Sequence, residues 1–158
     1  MVVSPRISHR GSSQLRVGRH SERNRIYHVT STTLFRRKIF ESLKSARILI
    51  RSMRYEQTVG NLDSLAFVVM PDHFHWLISL KSDQSLSTCI GRVKSCSARK
   101  INEAADCRGR LWQDGFHDRA IRKEEDLLVV ARYIVANPLR AGLVRRVSEY
   151  SHWDAVWI

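Results

Sequence analysis

The sequence predicts an α+β fold: a ferredoxin-like antiparallel sheet with helices packed on one face, plus a C-terminal helix. Strand-like and helix-like patterns follow the order strand, helix, strand, strand, helix, strand, helix. The two middle strands are apolar runs joined through Pro71 and Asp72, and a proline at this turn position favours an antiparallel hairpin. An amphipathic helix lies on either side of that hairpin, so the first six elements match the βαββαβ arrangement.

The first strand and the first helix are predicted before the hairpin. Arg25 to Ser31 (RIYHVTS) is rich in β-branched and aromatic residues, which is typical of a strand. Thr32 or Thr33 is placed to cap the helix that follows. From Phe35 to about Arg54, apolar residues recur at helical spacing and cations occupy the opposing side. We therefore expect an amphipathic helix with a basic outer face.

The hairpin and the second helix have the clearest patterns. Leu65 to Met70 (LAFVVM) and His73 to Leu80 (HFHWLISL) are the two apolar runs of the hairpin. Ser85 or Ser87 is placed to cap the next helix. The apolar stripe of that helix consists of Leu86, Ile90, Val93, Ser97 and Ile101.

The last predicted elements are one strand and one helix. Leu111 to Arg122 alternates loosely and indicates a strand. Glu124 to Asn137 is predicted to be a helix that ends near Pro138, because a proline disfavours the helical conformation in the residue before it. The tail from Ser148 to Ile158 is aromatic but has no pattern that assigns it to an element.

Size and composition favour one globular domain. The chain has 158 residues, of which 43% are hydrophobic and 27% charged, and this composition excludes wholesale disorder. We expect a basic arm over residues 1–24 and one domain over residues 25–158. The sequence has neither an apolar stretch of membrane-spanning length nor a signal-peptide core, which predicts a cytoplasmic protein. Three cysteines without a CxxC pair argue against a disulfide framework.

The strong positive charge indicates a polyanionic partner. Lys and Arg number 27 against 15 acidic residues, which gives a net charge of +12 and a pI near 10.5. Most of these cations are arginine, whose planar guanidinium binds phosphate through two hydrogen bonds and stacks on bases. A soluble basic surface without a nucleic-acid partner is the simpler alternative. The N-terminal arm contributes Arg6, Arg10, Arg16, Arg19 and Arg23.

Two histidines on the second hairpin strand are candidate metal ligands. His73 and His75 are separated by one residue, so the two-residue period of a strand points both imidazoles to one face. Phe74 and Trp76 then point to the other face, where helices can cover them. Two adjacent imidazoles can form half of a divalent metal site. The triplet alone is not specific, because the chain has 7 histidines.

Tyr133 and Asn137 add a candidate nucleophile and a candidate oxygen ligand. Their spacing of four residues makes them neighbours on the surface of one helix. A tyrosine hydroxyl can form a covalent phosphotyrosine, and an asparagine oxygen could complete a site begun by two histidines. The ordinary alternative is a boundary aromatic and a polar residue at a helix end.

Three blocks of the sequence together resemble a known family. They are VVMPDHFHWLISL, LWQDGFHDRAIR and ARYIVANPLRAGLV, and their order and spacing are similar to those of the REP-associated tyrosine transposases, single-tyrosine members of the HUH endonucleases. The resemblance runs from about residue 25 to residue 144. It implies that His73, His75 and Asn137 bind a divalent ion, Mg²⁺ or Mn²⁺, and that Tyr133 is the nucleophile.

The resemblance also implies the substrate and the products. Members of this family cut single-stranded DNA that folds into REP-like palindromic hairpins, and leave a 5′-phosphotyrosine and a free 3′-hydroxyl. The protein would then be nucleoid-associated, a monomer or a homodimer, with no membrane partner. Whether Tyr133 serves its own subunit or a partner subunit stays open. Candidates to hold flanking phosphates are Arg36, Arg37, Arg119, Arg122 and Arg140.

Two other functions remain as alternatives. His28 and Thr30 form an HxT triplet on the first strand, and with His73 and His75 this triplet suggests a metal-independent two-histidine phosphoesterase. The sheet could also serve a non-catalytic single-stranded nucleic-acid-binding module, which would need exposed aromatics. His117 is more simply interpreted as a structural or DNA-contacting residue than as a catalytic one. A requirement for a metal ion separates the transesterase from both alternatives.

Overall fold

A computed structural model describes residues 21–122 and 125–157. Its five strands form one antiparallel sheet in the order β4-β1-β3-β2-β5. The first four strands have the ferredoxin-like order, which confirms the predicted fold class. Residues 1–20 of the predicted basic arm and Glu124 of the predicted last helix lie outside the described residues. The strands are β1 (Ile26–Thr32), β2 (Leu62–Val69), β3 (His73–Leu80), β4 (His117–Ala120) and β5 (Trp153–Ala155).

Two long helices cover one face of the sheet, as predicted. They are α1 (Leu43–Thr58) and α2 (Leu86–Ala104), and Ser85 caps α2 by accepting a hydrogen bond from the Thr88 amide. Alternate side chains of β3, including Phe74, Trp76 and Ile78, are fully buried in the core beneath these helices. The main hydrophobic core therefore lies between this face and the α1–α2 pair.

The predicted start of the first helix is wrong. Residues 34–41 form two short 3₁₀ turns, Leu34–Arg36 and Ile39–Glu41, and α1 begins only after its N-cap Ser42. Phe35 has a φ of 57° and is 83% exposed, so it contributes nothing to an apolar helix face.

The backbone of this segment instead binds the hairpin turn. The Thr33 amide donates to the Asp72 carbonyl and the Phe40 amide donates to the Pro71 carbonyl, each at 2.9 Å. Two short turns, held against the hairpin turn by these bonds, replace the continuous helix that the apolar spacing predicts. Thr33 occupies the N-cap position of the first 3₁₀ turn, but its hydroxyl makes no capping bond and donates instead to the carbonyls of Arg37 and Asp72.

A third helix packs on the opposite face of the sheet. α3 (Leu127–Val135) begins after its N-cap Asp126, and the one-turn helix α4 (Asn137–Arg140) follows it with Pro138 in the first turn. The predicted break near Pro138 is therefore present, although the described helix begins at Leu127. Apolar residues of α3 pack on β2, β5 and Leu77 of β3. The helix covers one side of this face and leaves the side formed by β1 and β4 more open.

The C-terminal part of the chain differs from the prediction in two places. The strand predicted from Leu111 to Arg122 is limited to β4, preceded by an isolated bridge between Trp112 and Thr33. The tail, which the sequence left unassigned, forms the edge strand β5 beside β2. Among the helices described, none is long and apolar enough to span a membrane.

Candidate active site

Strand β3 presents two imidazoles on the face that α3 partly covers. The ring centroids of His73 and His75 are 5.0 Å apart, and the rings meet edge to face. Phe74 and Trp76 point to the opposite face and are fully buried there. Leu77, on the histidine side, packs in the same apolar cluster as α3. The two-residue period thus places both histidines on one side, as the sequence predicts.

The carboxylate of Asp72 orients the His73 ring. One Asp72 oxygen lies 2.6 Å from His73 Nδ1, and the other accepts a hydrogen bond from Arg36 Nε at 2.9 Å. Burial would raise the pKa of Asp72, but the hydrogen bonds from His73 and Arg36 outweigh it and hold this pKa below its usual range. Because an ionised carboxylate only accepts, Nδ1 of His73 carries the proton and Nε2 is left for another partner.

Two residues of β1 contact the His75 ring. His75 Nδ1 lies 3.0 Å from Thr30 Oγ1 and 3.1 Å from His28 Nε2. Burial first, and then the charges of His73, His28 and Arg140, together lower the pKa of His75 to about 3. Burial also lowers the pKa of His28 to about 4. Both imidazoles are therefore neutral at neutral pH, the protonation state in which histidine binds metals.

Tyr133 lies at the C-terminal end of α3, whereas Asn137 begins the one-turn helix α4, so the two residues are not on one continuous helix as the spacing predicts. The inner side of the helix is buried through Val130, Ala131 and Ile134, whereas Tyr133 points outward and is 56% exposed. The Asn137 side-chain amide donates to the carbonyls of Tyr133 at 3.3 Å and Ile134 at 2.9 Å. These bonds hold the amide nitrogen against the helix end. For Asn137 Oδ1 there is no hydrogen-bond partner in the described part of the chain.

Arg140 contacts Tyr133 and acts on His75 through its charge. Its guanidinium carbon lies 3.7 Å from the centroid of the Tyr133 ring, and its Nη1 donates to the Tyr133 carbonyl at 2.9 Å. The positive charge of Arg140 also lowers the pKa of His75, which places it within electrostatic range of that imidazole. A cation thus lies near both the candidate nucleophile and a candidate ligand.

The available donor atoms fit a divalent ion held by nitrogen and neutral oxygen. Nε2 of His73, Nε2 of His75 and Oδ1 of Asn137 are the atoms that the surrounding contacts leave free within residues 21–122 and 125–157. Imidazole and amide oxygen are both accepted by first-row divalent ions. Over those same residues, no cluster of three His, Cys, Asp or Glu side chains offers a competing metal site.

The other predicted phosphate-binding arginines differ in their relation to the histidine face. Arg119 lies on β4 opposite His28 in the strand register and forms an ion pair with Glu125 at 2.7 Å. Arg36 reaches the site through Asp72. Arg122 also binds Glu125, but through its backbone amide. Arg37 donates to the backbone carbonyls of Leu34 and Arg110.

The remaining tyrosines differ from Tyr133 in position or exposure. The Tyr27 hydroxyl lies in the core and accepts a hydrogen bond from the Glu22 amide. The Tyr150 hydroxyl donates to the Val69 carbonyl at 2.6 Å. Tyr55 is 61% exposed but lies on α1, which covers the opposite face of the sheet. Among these four tyrosines, only Tyr133 is both exposed and on the helix that packs on the histidine face.

The sequence did not predict the contacts that surround the histidine pair. His28 and Thr30 appeared only as part of an alternative function, and Asp72 only as a turn residue. Their placement depends on the register of β1 against β3, in which Thr30 is opposite His75. The same face extends to His117 on β4, opposite Thr30. The signal in the sequence was the alternation of His28, Thr30 and Thr32 with the buried Tyr27, Val29 and Ser31.

Comparison with known proteins identifies one family. Residues 21–137 match the sequence model of the family described as "Transposase IS200 like". The chain is 27% identical over 112 residues to a REP-associated tyrosine transposase of Haemophilus influenzae, a match that covers 62% of each protein. It is 30% identical over 86 residues to the REP-associated tyrosine transposase of Escherichia coli K12, which covers 54% of this chain and 49% of that protein. The chain thus spans about half to three fifths of the length of these relatives.

A solved structure has the same fold. It is the structure of a REP-associated tyrosine transposase bound to a REP hairpin, with a TM-score of 0.71 and 23% sequence identity. The alignment covers 85% of this chain and 79% of that one. The likeness confirms the α+β architecture independently of the sequence pattern.

Proposed function

The chain belongs to the IS200-like transposase family, and from this membership we propose that it is a metal-dependent endonuclease and transesterase for single-stranded DNA. Its substrate would be a DNA strand folded into a REP-like palindromic hairpin, cut through a 5′-phosphotyrosine intermediate in the cytoplasm. One observation carries the proposal: α3, which carries Tyr133 and is followed directly by Asn137, packs on the sheet face that displays His73 and His75.

In this proposal each side chain has a separate task. His73, His75 and Asn137 would hold Mg²⁺ or Mn²⁺ through Nε2, Nε2 and Oδ1. When bound, such an ion polarises the scissile phosphate and stabilises negative charge on its oxygens. The Tyr133 oxygen attacks the phosphorus in line and loses its proton, while the bond from phosphorus to the 3′ oxygen breaks. That oxygen takes up a proton and becomes the free 3′-hydroxyl.

Cations near the tyrosine would position the substrate. Arg140 stacks on the Tyr133 ring and is an exposed residue, so its guanidinium can bind a phosphate oxygen. Arg36, Arg119 and Arg122 are further candidates for phosphates that flank the cut, and Arg37 is a weaker one because backbone carbonyls occupy its side chain. Phosphate contacts of this kind position the strand without reading its sequence.

The alternatives are less well supported by the same geometry. A binding module that stacks bases needs exposed aromatics on the open sheet face, but Phe74 and Trp76 are buried on the other side. The two-histidine phosphoesterase gains some support because His28 and Thr30 contact His75. It assigns no task to Tyr133 or Asn137, and it predicts cleavage without a metal ion.

The decisive experiment is detection of the covalent adduct. The protein is incubated with a 3′-labelled hairpin oligonucleotide, with and without Mg²⁺ or Mn²⁺, and separated by denaturing electrophoresis. We expect a slow protein–DNA band that requires the ion. Tyr133→Phe keeps the ring but removes the attacking oxygen, so this variant should bind the hairpin yet form neither nick nor adduct.

Tyr55→Phe is the matched control, because it removes the hydroxyl of a similarly exposed tyrosine on the opposite side of the sheet. This variant should form the adduct as the unmodified protein does. An adduct formed by Tyr133→Phe, or a phosphate located on another residue by mass spectrometry, would rule out the proposed nucleophile. Cleavage that persists after removal of divalent ions would favour the phosphoesterase.

A further inference from the structure

The HxT triplet of β1 has no task in the proposed function. His28 and Thr30 point to the histidine face, and Val29 between them is fully buried on the other side. The antiparallel register places Thr30 directly opposite His75. Both side chains are half-buried on the side of this face that α3 leaves more open, where a polar group needs a hydrogen-bond partner to offset its loss of water.

Both residues contact the same atom of His75. Thr30 Oγ1 lies 3.0 Å and His28 Nε2 lies 3.1 Å from His75 Nδ1. The His28 and His75 rings are tilted at 43° with centroids 5.2 Å apart, so they meet through their nitrogens and are not stacked. Two partners at Nδ1 therefore fix the ring with Nε2 on its free side.

The position of the proton on the His75 ring decides whether Nε2 can bind a metal. A neutral imidazole has one protonated nitrogen and one that accepts or ligates. If Nδ1 donates to Thr30 or His28, Nε2 is unprotonated and able to bind a metal. If the Thr30 hydroxyl or the His28 ring instead donates to Nδ1, the proton of His75 lies on Nε2 and the ring cannot be a ligand through that atom.

We propose that His28 and Thr30 are positioning residues that keep the proton of His75 on Nδ1 and so reserve Nε2 for the divalent ion. The ion itself rests on the proposed function, whereas the tautomer is a property of the protein alone. His73 obtains the same tautomer from the carboxylate of Asp72. The two ligands thus have different supports, one anionic and one neutral, and partners of this kind set ligand orientation and affinity.

The test measures the tautomer directly in metal-free protein. Long-range ¹H–¹⁵N NMR correlations of ¹⁵N-histidine-labelled protein distinguish Nδ1–H from Nε2–H rings, and a His75→Gln spectrum assigns the His75 signals. We expect Nδ1–H for His75 in the unmodified protein. His28→Phe combined with Thr30→Val should replace this single state by a mixture or by Nε2–H. If the double variant does not fold, the nearly isosteric Thr30→Val variant alone is used for the same comparison.

A second readout uses Mn²⁺ and no DNA. Titration of Mn²⁺ followed by electron paramagnetic resonance should give an affinity about 10- to 100-fold weaker for the variants, the usual cost of losing a residue that orients a ligand. Ser31→Ala is the matched control: the adjacent hydroxyl of β1 is buried on the opposite face and has no hydrogen-bond partner within the described ranges. It should change neither the tautomer nor the affinity.

The outcomes separate this proposal from the proposed function. An Nε2–H tautomer in the unmodified protein would overturn the positioning role even if the DNA adduct forms. The same conclusion would follow if the variants kept both the Nδ1–H tautomer and the Mn²⁺ affinity. The expected tautomer change together with the expected loss of affinity would support it. Failure of the unmodified protein to form an adduct would overturn the proposed function and leave the tautomer result standing.

Discussion

At the scale of single residues, Asp72 connects the hairpin turn to the candidate site. Its backbone carbonyl accepts hydrogen bonds from the amide and the hydroxyl of Thr33, and its carboxylate joins His73 to Arg36. The residue therefore fixes the path of the turn and the orientation of one imidazole at the same time. Removal of the carboxylate should affect metal binding more than folding, because the backbone bonds remain.

Asp72→Ala should weaken Mn²⁺ binding by about 10- to 100-fold, the range expected when a residue that orients a ligand is lost. We expect this loss of affinity because His73 Nδ1 loses the acceptor that fixes its proton. Isothermal titration calorimetry on the protein without DNA measures this change. Arg36→Gln removes only the outer ion pair and should have a smaller effect. Equal affinities for Asp72→Ala and the unmodified protein would contradict a role of Asp72 at the site.

At the scale of elements, the C-terminal segment holds the part of the sheet on which α3 packs. β5 pairs with β2, and the Tyr150 hydroxyl donates to the carbonyl of Val69 at the end of β2. The Val69 amide in turn donates to the His152 carbonyl at 2.8 Å. Tyr150 and Trp153 also pack against the apolar cluster beneath α3. The tail thus supports the helix that carries Tyr133, although it contributes no proposed ligand.

Tyr150→Phe should lower the free energy of unfolding by about 1 kcal/mol at neutral pH, through loss of the hydrogen bond to Val69. Burial raises the pKa of Tyr150 to about 12, from about 10. Between pH 10 and pH 12 the folded protein therefore keeps the Tyr150 proton while the unfolded chain loses it. The contribution of Tyr150 to the free energy of unfolding is therefore complete below pH 10 and is lost as the pH rises through 12.

Urea unfolding at several pH values measures the difference between Tyr150→Phe and the unmodified protein. That difference should be constant up to about pH 10 and then shrink. Tyr55→Phe, which changes an exposed ring on α1, should show neither effect. A constant difference from neutral pH to pH 12 would mean that the Tyr150 hydroxyl is not protected by the fold.

Elements whose signals are local could be predicted from the sequence, and those that depend on distant contacts could not. The hairpin and α2 follow from apolar runs, Pro71 and the cap Ser85. The start of α1 could not be predicted, because residues 33–40 bond to a turn more than thirty positions away. β5 has only three residues at a sheet edge and no periodic pattern. The same division applies to the site: the shared face of His73 and His75 is a local property, whereas the contact between Thr30 and His75 requires the register.

At the scale of the whole molecule, positive charge is present on both sides of the sheet. The net charge is +12, and it gives nonspecific attraction to any nucleic acid. On the histidine face, Arg119 and Arg140 are close enough to lower the pKa values of His28 and His75. On the other face, Arg51 and Arg99 are exposed on the outer sides of α1 and α2. If cleavage takes place at the histidine face, only the first pair should contact the phosphates of a bound strand.

The two pairs of arginines should therefore differ in the salt dependence of DNA binding. Each phosphate contact to a single strand contributes about 0.7 to the slope of log K against log salt concentration, so Arg119→Gln combined with Arg140→Gln should reduce the slope by up to about 1.4. Arg51→Gln combined with Arg99→Gln has the same net charge and should leave the slope nearly unchanged. Fluorescence anisotropy of a labelled hairpin, measured over a series of salt concentrations, gives both slopes. Binding should also favour the hairpin over a blunt duplex at matched salt. A larger reduction for the Arg51 and Arg99 pair would place the DNA on the helical face, away from His73, His75 and Tyr133.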